Sequence, residues 1–223
     1  MREVQFYPVD RVAMDHFLEL CKRQHFPARA TVVRPGDSGQ SLWYVVEGSV
    51  TVSTEGEDGR ELILSYLNPG DFIGEMGLFM RPRQREVLVR TKTKCELAEI
   101  SYNQLRDALD NELSEHALEI MTAIGAKLAQ RLLQARRKVE HLAFLDTQGR
   151  IARTLIDLCG EPDAVSHPDG TQIRITRQEL SRIVGCSREM AGRVMKTLIE
   201  EGMIEASGKT VVVLGTHKGS TAG

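Results

Sequence analysis

The chain lacks the residue spacings that mark several classes of protein. Its four cysteines never form a Cys-x-x-Cys pair, and its six histidines never form a His-x-x-x-His pair. Structural zinc sites and iron–sulfur sites need such closely spaced ligands, so no metal site is expected. Four isolated thiols are typical of buried, free cysteines in a reducing compartment. No paired nucleophile and base is evident either, and we do not expect an enzyme or a bound cofactor.

Long apolar runs and a strong net charge are also missing. No run approaches the roughly 18 residues of a membrane span, and residues 1–5 lack the apolar core of a secretory signal. We therefore expect a cytoplasmic protein with no membrane partner. The 223 residues, 41% hydrophobic and 27% charged, are enough for two globular domains. The formal net charge of −2 gives no hint of nucleic acid binding.

Residues 176–198 have the pattern of two short helices joined by a tight turn. Thr176, with Glu179 three residues later, predicts a capped helix start, and Gly185 predicts the end of that helix. Ser187 is a suitable cap for a second helix, whose apolar residues recur at a spacing of three and four. Its opposite face carries charged side chains: Arg188, Glu189, Arg193 and Lys196.

This pattern predicts a helix-turn-helix whose second helix lies in the major groove of DNA. Residues 174–196 contain six basic residues against two acidic ones, and such a local excess of positive charge favours a phosphate backbone. Arg188 and Glu189 suit guanine and cytosine edges. The alternative is an ordinary helical hairpin with a solvated charged face. Residues 202–214 then predict a hairpin turning at Ser207-Gly208, a wing whose Lys209 meets a phosphate.

An apolar seam precedes this region. Its members alternate at spacings of three and four for about three and a half heptads: Leu118, Met121, Gly125, Leu128, Leu132, Ala135, Val139 and Leu142. A narrow seam of this kind favours a parallel coiled-coil homodimer, which is also what two DNA half-sites require. The alternative is a long helix that packs only within its own chain. Further on, we expect a helix at Gly149–Cys159, a loop at 161–170 and a short strand at Ile173–Ile175.

The N-terminal half has a different periodicity. A helix is expected at Val12–Cys21, and short, often alternating apolar runs with regular turn signals follow from Phe26 to Ile100. Such spacing predicts an antiparallel sandwich or a jelly-roll barrel.

A glycine-containing segment, Asn68–Phe79, lies within these strands and is followed by Arg85-Glu86. Gly74 and Gly77 permit close backbone approach, and a short helix starting at Met76 would offer free amides to an anion. Glu75 is able to accept hydrogen bonds from ribose hydroxyls, while Arg85 is able to pair with a phosphate. The spacing alone is more typical of ordinary β-turns than of a ligand site.

Four motifs together resemble the cyclic-AMP receptor protein (CRP) family of the CRP–FNR superfamily. They are Phe72–Phe79, Ala143–Asp146, Thr176–Val194 and Gly208–Val213, and the resemblance covers nearly the whole chain. It implies a cyclic-nucleotide-binding jelly roll, a long dimerisation helix and a winged helix-turn-helix. It also implies a homodimer that binds palindromic double-stranded promoter DNA and contacts RNA polymerase. Residues 164–170 resemble the family's surface for the polymerase α subunit.

The resemblance also implies roles for single residues. Arg188, Glu189 and Arg193 would read bases, with Lys196 on the same face. Phosphate contacts would come from Thr176, Gln178, Ser187 and Lys209.

The ligand pocket departs from the family pattern at two places. Gly74, Glu75 and Arg85 are kept, but Glu86 replaces a serine and Ala135-Arg136 replaces Thr-Ser on the long helix. A carboxylate repels a ligand phosphate, and Ala135 offers no hydrogen bond to adenine. Arg85 is also expected to be able to pair with Glu86 and close the pocket. Residues 85–102 are more similar to the Clp-like branch of the family, which is associated with cyclic di-GMP. A larger ligand of that kind could use Arg136, Arg150 or Arg153.

We therefore expect an α+β protein: a cyclic-nucleotide-binding β-barrel (1–112), a dimerisation helix and hinge (113–146), a winged helix-turn-helix (147–217) and a tail (218–223). Its expected function is transcription regulation under the control of cyclic di-GMP, with cyclic AMP as the alternative effector. The expected ligand-binding residues are Gly74, Glu75, Arg85, Glu86 and Arg136. A ligand-independent regulator remains open. So does a nucleotide-sensing subunit that acts on a protein partner, although such a subunit would need neither the basic helix nor the wing.

Overall fold

The computed structural model describes residues 8–80 and 84–216. The helices are α1 (Arg11–Glu19), α2 (Tyr102–Asp110), α3 (Ala117–Phe144), α4 (Thr147–Leu158), α5 (Arg177–Val184) and α6 (Arg188–Glu200). The strands are β1 (Lys22–Phe26), β2 (Thr31–Val33), β3 (Ser41–Glu47), β4 (Val50–Glu55), β5 (Glu61–Leu67), β6 (Phe72–Ile73), β7 (Leu88–Thr91), β8 (Cys95–Ser101), β9 (Val165–His167), β10 (Gly170–Arg174), β11 (Ile204–Ser207) and β12 (Thr210–Leu214). The predicted tail, 218–223, lies outside the described residues.

The chain divides into two compact units. Within the described residues, the barrel unit comprises 8–54, 63–80 and 84–135, and the C-terminal unit comprises 55–62 and 136–216.

Two four-stranded sheets form the barrel unit, in the orders β1-β8-β3-β6 and β2-β7-β4-β5. Both sheets contribute to one apolar core, where Trp43 and Leu97 of the first sheet pack with Val50, Leu67 and Val89 of the second. Alternating short strands produce this arrangement because one face of each strand turns inward. The predicted N-terminal β-barrel is confirmed.

Helices cover the outer face of the first sheet. Phe17 of α1, Leu105 of α2 and Ile124 of α3 belong to a second core with Leu42 and Ile100 of the sheet. The start of α1 is fixed by Asp10, whose carboxylate accepts a 3.0 Å bond from the Ala13 amide. A capping box between Ser101 and Gln104 starts α2.

Helix α3 confirms the predicted long helix, but the residues of its apolar seam fall into two groups with different surroundings. Met121 and Leu128 pack against the core of the barrel unit, next to the buried Ile120 and Ile124. The other apolar seam positions point outward, with exposed fractions of 76% for Leu118, 72% for Leu132, 64% for Val139 and 62% for Leu142. One face of α3 therefore packs within the chain, and a second apolar face stays uncovered in the protomer.

The C-terminal unit combines α4, α5 and α6 with a sheet of order β11-β12-β10-β9. Its buried residues include Ile151 and Leu155 of α4, Leu180 of α5, Leu198 of α6 and Val211 of β12. The predicted helix-turn-helix and wing are confirmed, as is the α+β fold. Two details of the prediction were wrong. The expected loop 161–170 contains strand β9, and Cys186 is half-buried, unlike the buried Cys21, Cys95 and Cys159.

Candidate DNA interface and ligand cassette

The turn between α5 and α6 is fixed by two capping side chains and one glycine. Thr176 accepts a 3.0 Å bond from the Glu179 amide, and Ser187 accepts a 3.1 Å bond from the Met190 amide. Between them, Gly185 adopts a φ of 74°, which ends α5 at little steric cost because glycine has no Cβ. Both hydroxyls keep their own proton, so each remains able to donate to a phosphate oxygen.

Helix α6 presents two chemically distinct faces. Ala191, Val194, Met195 and Leu198 are buried. Arg188, Glu189 and Arg193 are exposed, and within the described part of the chain none of the three forms an ion pair. Lys196 is also exposed and lies 3.6 Å from Glu200, one turn along the helix. Such an exposed pair stabilises by under about 1 kcal/mol, so Lys196 remains available to a phosphate.

A groove between α6 and the wing collects most of the residues predicted to contact DNA. It is lined by Ser187, Arg188, Glu189, Arg193 and Lys196 from the helix and by Gly208 from the wing. Gly208 has a φ of 62° at the β11–β12 turn, where Lys209 is exposed beside it. Gln178 is exposed on the first turn of α5, while Thr176 is half-buried.

Arg177 also lines this groove; sequence reasoning counted it in the basic patch of residues 174–196 but gave it no individual DNA contact. Its side chain crosses Gly192 of α6, where a Cβ would lie 3.5 Å from the Arg177 Cδ atom. A glycine in the middle of an amphipathic helix was the available signal, because glycine there lowers helix propensity and marks a close approach. Arg177 therefore lies beside the residues predicted to contact DNA.

The second candidate site is the cassette, defined here as residues 72–79 with Arg85. Arg85 Nη1 donates a 3.3 Å hydrogen bond to the Tyr102 hydroxyl, and Nη2 donates to the Ser41 carbonyl. The Tyr102 hydroxyl in turn donates a 2.6 Å bond to the Gly74 carbonyl. Gly74 has a φ of 85°, and a Cβ there would overlap the Arg85 guanidinium. Burial raises the pKa of Tyr102, and the positive charge of Arg85 partly offsets this.

Glu75 is the most unusual polar group of the cassette because it is only 3% exposed. Its Oε1 atom lies 2.5 Å from Nη1 of Arg131 on α3, and Nη2 of Arg131 donates to the Phe72 carbonyl. Its Oε2 atom is buried and has no hydrogen-bond partner among the described residues. A buried carboxylate oxygen without a donor is costly, so this atom is suited to a ligand hydroxyl. Sequence reasoning missed Arg131, since no local pattern links it to residue 75.

The remaining predicted ligand residues lie apart from these bonds. Glu86 and Arg136 are exposed, and Arg136 pairs with Glu140 at 3.3 Å. The expected Arg85–Glu86 pair was wrong, because the guanidinium turns inward to Ser41 and Tyr102 instead.

The other two arginines suggested for a larger ligand, Arg150 and Arg153, have local partners. Arg150 donates to the Leu145 carbonyl at 3.2 Å, and Arg153 pairs with Asp157 at 3.2 Å.

The short helix expected from Met76 is a 3₁₀ turn, Glu75–Leu78. The anion site expected at its amides stays a prediction. The Gly77 amide of this turn already donates to the Gly74 carbonyl at 3.0 Å, and the amides of Phe79 and Met80 donate to the Met76 carbonyl. These donors are therefore committed to the turn itself.

The segment suggested for RNA polymerase, 164–170, is the β9–β10 hairpin and its approach. Val165 is 54% exposed, and His167 Nδ1 accepts a 3.3 Å bond from the Asp169 amide.

Across residues 8–80 and 84–216, no helix is long and apolar enough to cross a bilayer. The same residues contain no cluster of metal-ligating side chains.

Comparison with known proteins agrees with this geometry. Residues 23–112 match the cyclic nucleotide-binding domain family, and residues 149–218 match the Crp-like helix-turn-helix domain. The CRP-like protein Clp of Xanthomonas euvesicatoria is 52% identical over 209 residues, 94% of this chain and 91% of that protein.

Two solved structures are informative. The c-di-GMP responsive global regulator CLP of Xanthomonas campestris has a TM-score of 0.87 and 53% identity, covering 93% of this chain and 100% of that one. A CRP/FNR-family transcriptional regulator of Thermus thermophilus has a TM-score of 0.70 and 28% identity, covering 86% of this chain and 93% of that one.

Proposed function

Since the chain belongs to the CRP family of DNA-binding transcription regulators, we propose that it is a cytoplasmic homodimer. Its binding to palindromic promoter DNA would be controlled by cyclic di-GMP. Family membership already makes it a regulator with a cyclic nucleotide-binding domain, and not an enzyme. The effector, the dimer, the polymerase contact and the roles of single residues are the proposal.

The charged face of α6 carries the DNA-binding part of the proposal. Arg188, Glu189 and Arg193 are exposed on a helix whose other face is buried, and none of them has an ion-pair partner among the described residues. Arginine forms paired hydrogen bonds with guanine, and a carboxylate accepts from cytosine N4, so this face is able to read sequence. Gln178, Ser187 and Lys209, with Thr176 and Arg177, would position the phosphate backbone. Two copies of this unit, about one helical turn apart, would read a palindrome.

The uncovered face of α3 supports the dimer. Leu118, Leu132, Val139 and Leu142 are all more than 60% exposed in the protomer. Apolar side chains at heptad spacing along one helix face are expected to pack against the same face of a second copy. Such a dimer would give the two DNA-reading helices the two-fold symmetry of a palindromic site.

Two observations support cyclic di-GMP as effector. The structurally similar Xanthomonas campestris regulator is described as c-di-GMP responsive. In addition, the exposed carboxylate of Glu86 follows Arg85 directly and adds negative charge near any phosphate that Arg85 would bind. A cyclic mononucleotide has one phosphate, whereas cyclic di-GMP has a second phosphate and two guanines with which to make further contacts.

Cyclic AMP is the second candidate, because residues 23–112 match the cyclic nucleotide-binding domain family and their cassette contains Gly74, Glu75 and Arg85. The orphaned Glu75 Oε2 atom needs a donor, and a ribose hydroxyl of a bound nucleotide would supply one. Gly74, Glu75 and Arg85 would then hold the ribose and phosphate.

Calorimetric titration of the full chain with each nucleotide distinguishes the candidates. We expect cyclic di-GMP to bind with a Kd of about 1 μM or tighter, near −8 kcal/mol, and cyclic AMP to bind at least about a hundredfold more weakly. Sub-micromolar cyclic AMP binding that Arg85→Ala abolishes would instead assign cyclic AMP as effector.

A further inference from the structure

We infer that Tyr102 is a selectivity residue of the cassette: it holds Arg85 in a closed position that a ligand phosphate must displace, which disfavours ligands with only one phosphate. The inference rests on the proposed function, because it concerns the contact that a cyclic nucleotide would make with Arg85. It adds a cause of selectivity that does not depend on the charge of Glu86.

The space beside both glycines of the cassette is filled by these two side chains. A Cβ at Gly74 would overlap the Arg85 guanidinium, and a Cβ at Gly77 would overlap the hydroxyl and ring of Tyr102. Tyr102 is only 7% exposed. The close backbone approach that the two glycines permit is therefore used by the protein's own side chains, and a ligand group enters the same space only after one of them moves.

Both terminal nitrogens of Arg85 are engaged in this closed position. Nη1 donates a 3.3 Å hydrogen bond to the Tyr102 hydroxyl, and Nη2 donates to the Ser41 carbonyl. The Tyr102 hydroxyl donates in turn to the Gly74 carbonyl at 2.6 Å. A guanidinium holds a phosphate best through two parallel N–H donors. A contact of that kind with Nη1 and Nη2 would replace the bonds to Tyr102 and Ser41.

The partners of Arg85 are fixed by the first sheet of the barrel unit. Ser41 of β3 pairs with Ser101 of β8, and Tyr102 follows directly as the first residue of α2. The Arg85 backbone is also held, since its amide donates a 2.8 Å bond to the Asp37 carbonyl. Opening of the closed position therefore requires rotation of the Arg85 side chain away from two partners that do not move with it.

This arrangement disfavours a cyclic mononucleotide more than cyclic di-GMP. A mononucleotide has one phosphate, and its contact with Arg85 breaks two hydrogen bonds of a charged group, which are stronger than bonds between neutral groups. Cyclic di-GMP has a second phosphate and two guanines, so a smaller share of its binding free energy depends on displacing Arg85. Removal of the Tyr102 hydroxyl should therefore favour the mononucleotide.

Modification of Arg85 by phenylglyoxal tests the closed position without any nucleotide. The reagent adds to guanidinium nitrogens, so its rate at a half-buried, hydrogen-bonded arginine depends on opening. Tyr102→Phe keeps an aromatic ring beside Gly77 and removes only the hydroxyl. In the full-length protein it should speed modification of Arg85 at least about threefold, measured by mass spectrometry of the peptide that contains this residue.

Tyr66→Phe is the matched control for this measurement. Tyr66 lies on β5 of the other sheet, where Lys92 Nζ lies 4.6 Å from the centre of its ring. The control makes the same chemical change outside the cassette and should leave the rate at Arg85 unaltered. Thermal unfolding checks that both variants fold. Equal rates of Arg85 modification in the wild type and Tyr102→Phe would overturn the closed position.

Calorimetric titration of the same proteins with cyclic AMP and with cyclic di-GMP tests the selectivity. Tyr102→Phe should tighten cyclic AMP binding at least about threefold and change cyclic di-GMP binding less. A purely structural tyrosine would weaken both when its hydrogen bonds are lost, so a gain separates selection from packing. Cyclic AMP binding that is unchanged, weaker or undetectable in Tyr102→Phe, or an equal gain for both nucleotides, would overturn the role of Tyr102. Cyclic di-GMP that fails to bind the wild type would refute only the effector proposed above, since the cyclic AMP comparison and the Arg85 modification stand without it.

Discussion

Replacing Leu132 by aspartate should separate the dimer while leaving each protomer folded. Leu132 is 72% exposed in the protomer, so Leu132→Asp should change the free energy of unfolding of a monomer by no more than about 0.5 kcal/mol. In a coiled-coil dimer, each Leu132 would be buried against the partner, which is worth roughly 1.5–3 kcal/mol per side chain. Two copies give roughly 3–6 kcal/mol, or about two to four decades in the dimer dissociation constant.

Sedimentation at micromolar concentration measures this change, and thermal unfolding checks that the fold is intact. Gln134→Asp is the matched control, because residue 134 is exposed on the same helix but lies outside the seam. We expect a monomer for Leu132→Asp and a dimer for Gln134→Asp and the wild type. A monomeric wild type, or a Leu132→Asp variant that remains dimeric, would refute the reasoning.

Three further predictions concern DNA, the cassette and the thiols. Arg188→Ala should cost about 1–3 kcal/mol on specific DNA and relax the preference at one base pair of each half-site. Lys209→Ala should weaken binding to specific and random duplexes alike and reduce the salt dependence of the affinity by about one phosphate contact per subunit. Fluorescence anisotropy with both duplexes distinguishes these two variants. Equal losses of affinity for Arg188→Ala on the specific and the random duplex would contradict base reading. In calorimetry, Glu75→Gln should weaken the binding of whichever cyclic nucleotide donates to the unpartnered Oε2 atom, and Glu86→Gln should strengthen cyclic AMP binding. An unchanged cyclic AMP affinity in Glu86→Gln would show that charge repulsion is not what disfavours cyclic AMP. Burial raises the pKa of Cys21 to about 12, so the thiol stays protonated at pH 8 and should resist alkylation in the native protein, with Cys186 modified first; mass spectrometry of the labelled peptides would expose the opposite order.

Features with a local physical cause could be predicted from the sequence. The caps at Thr176 and Ser187, the glycine at 185 and the wing turn at Gly208 each depend on residues within about four positions. The alternating strands of the barrel and the length of α3 also follow from periodicity, which is a local property. The exposed face of α6 was predictable for the same reason.

Features that depend on distant residues were missed. Arg131 meets Glu75 across 56 positions of sequence. No local sequence pattern near Glu75 or Arg131 indicates that the two side chains pair. The apolar seam of α3 was predicted to face a partner along its whole length. Met121 and Leu128 fit the heptad spacing yet pack against the barrel core. Spacing identifies an apolar position but does not say which surface covers it.

Strand β9 was assigned to a loop because its three residues are too few for a periodic pattern. The strand exists because Ser166 and His167 pair with Thr171 and Gly170 of β10, which in turn pairs with β12. Arg85 was misassigned for a different reason. Its neighbour Glu86 is adjacent in sequence, but the Ser41 carbonyl and the Tyr102 hydroxyl are adjacent in space.

The most direct test of the proposed function measures the affinity of the full-length protein for a palindromic duplex with and without saturating cyclic di-GMP. Fluorescence anisotropy at fixed salt is suitable, with a scrambled duplex and cyclic AMP as controls. If cyclic di-GMP controls this regulator, it should change the dissociation constant for the palindrome by about 5- to 150-fold and leave the scrambled duplex nearly unaffected. An affinity for the palindrome that is the same at all cyclic di-GMP concentrations would contradict the account.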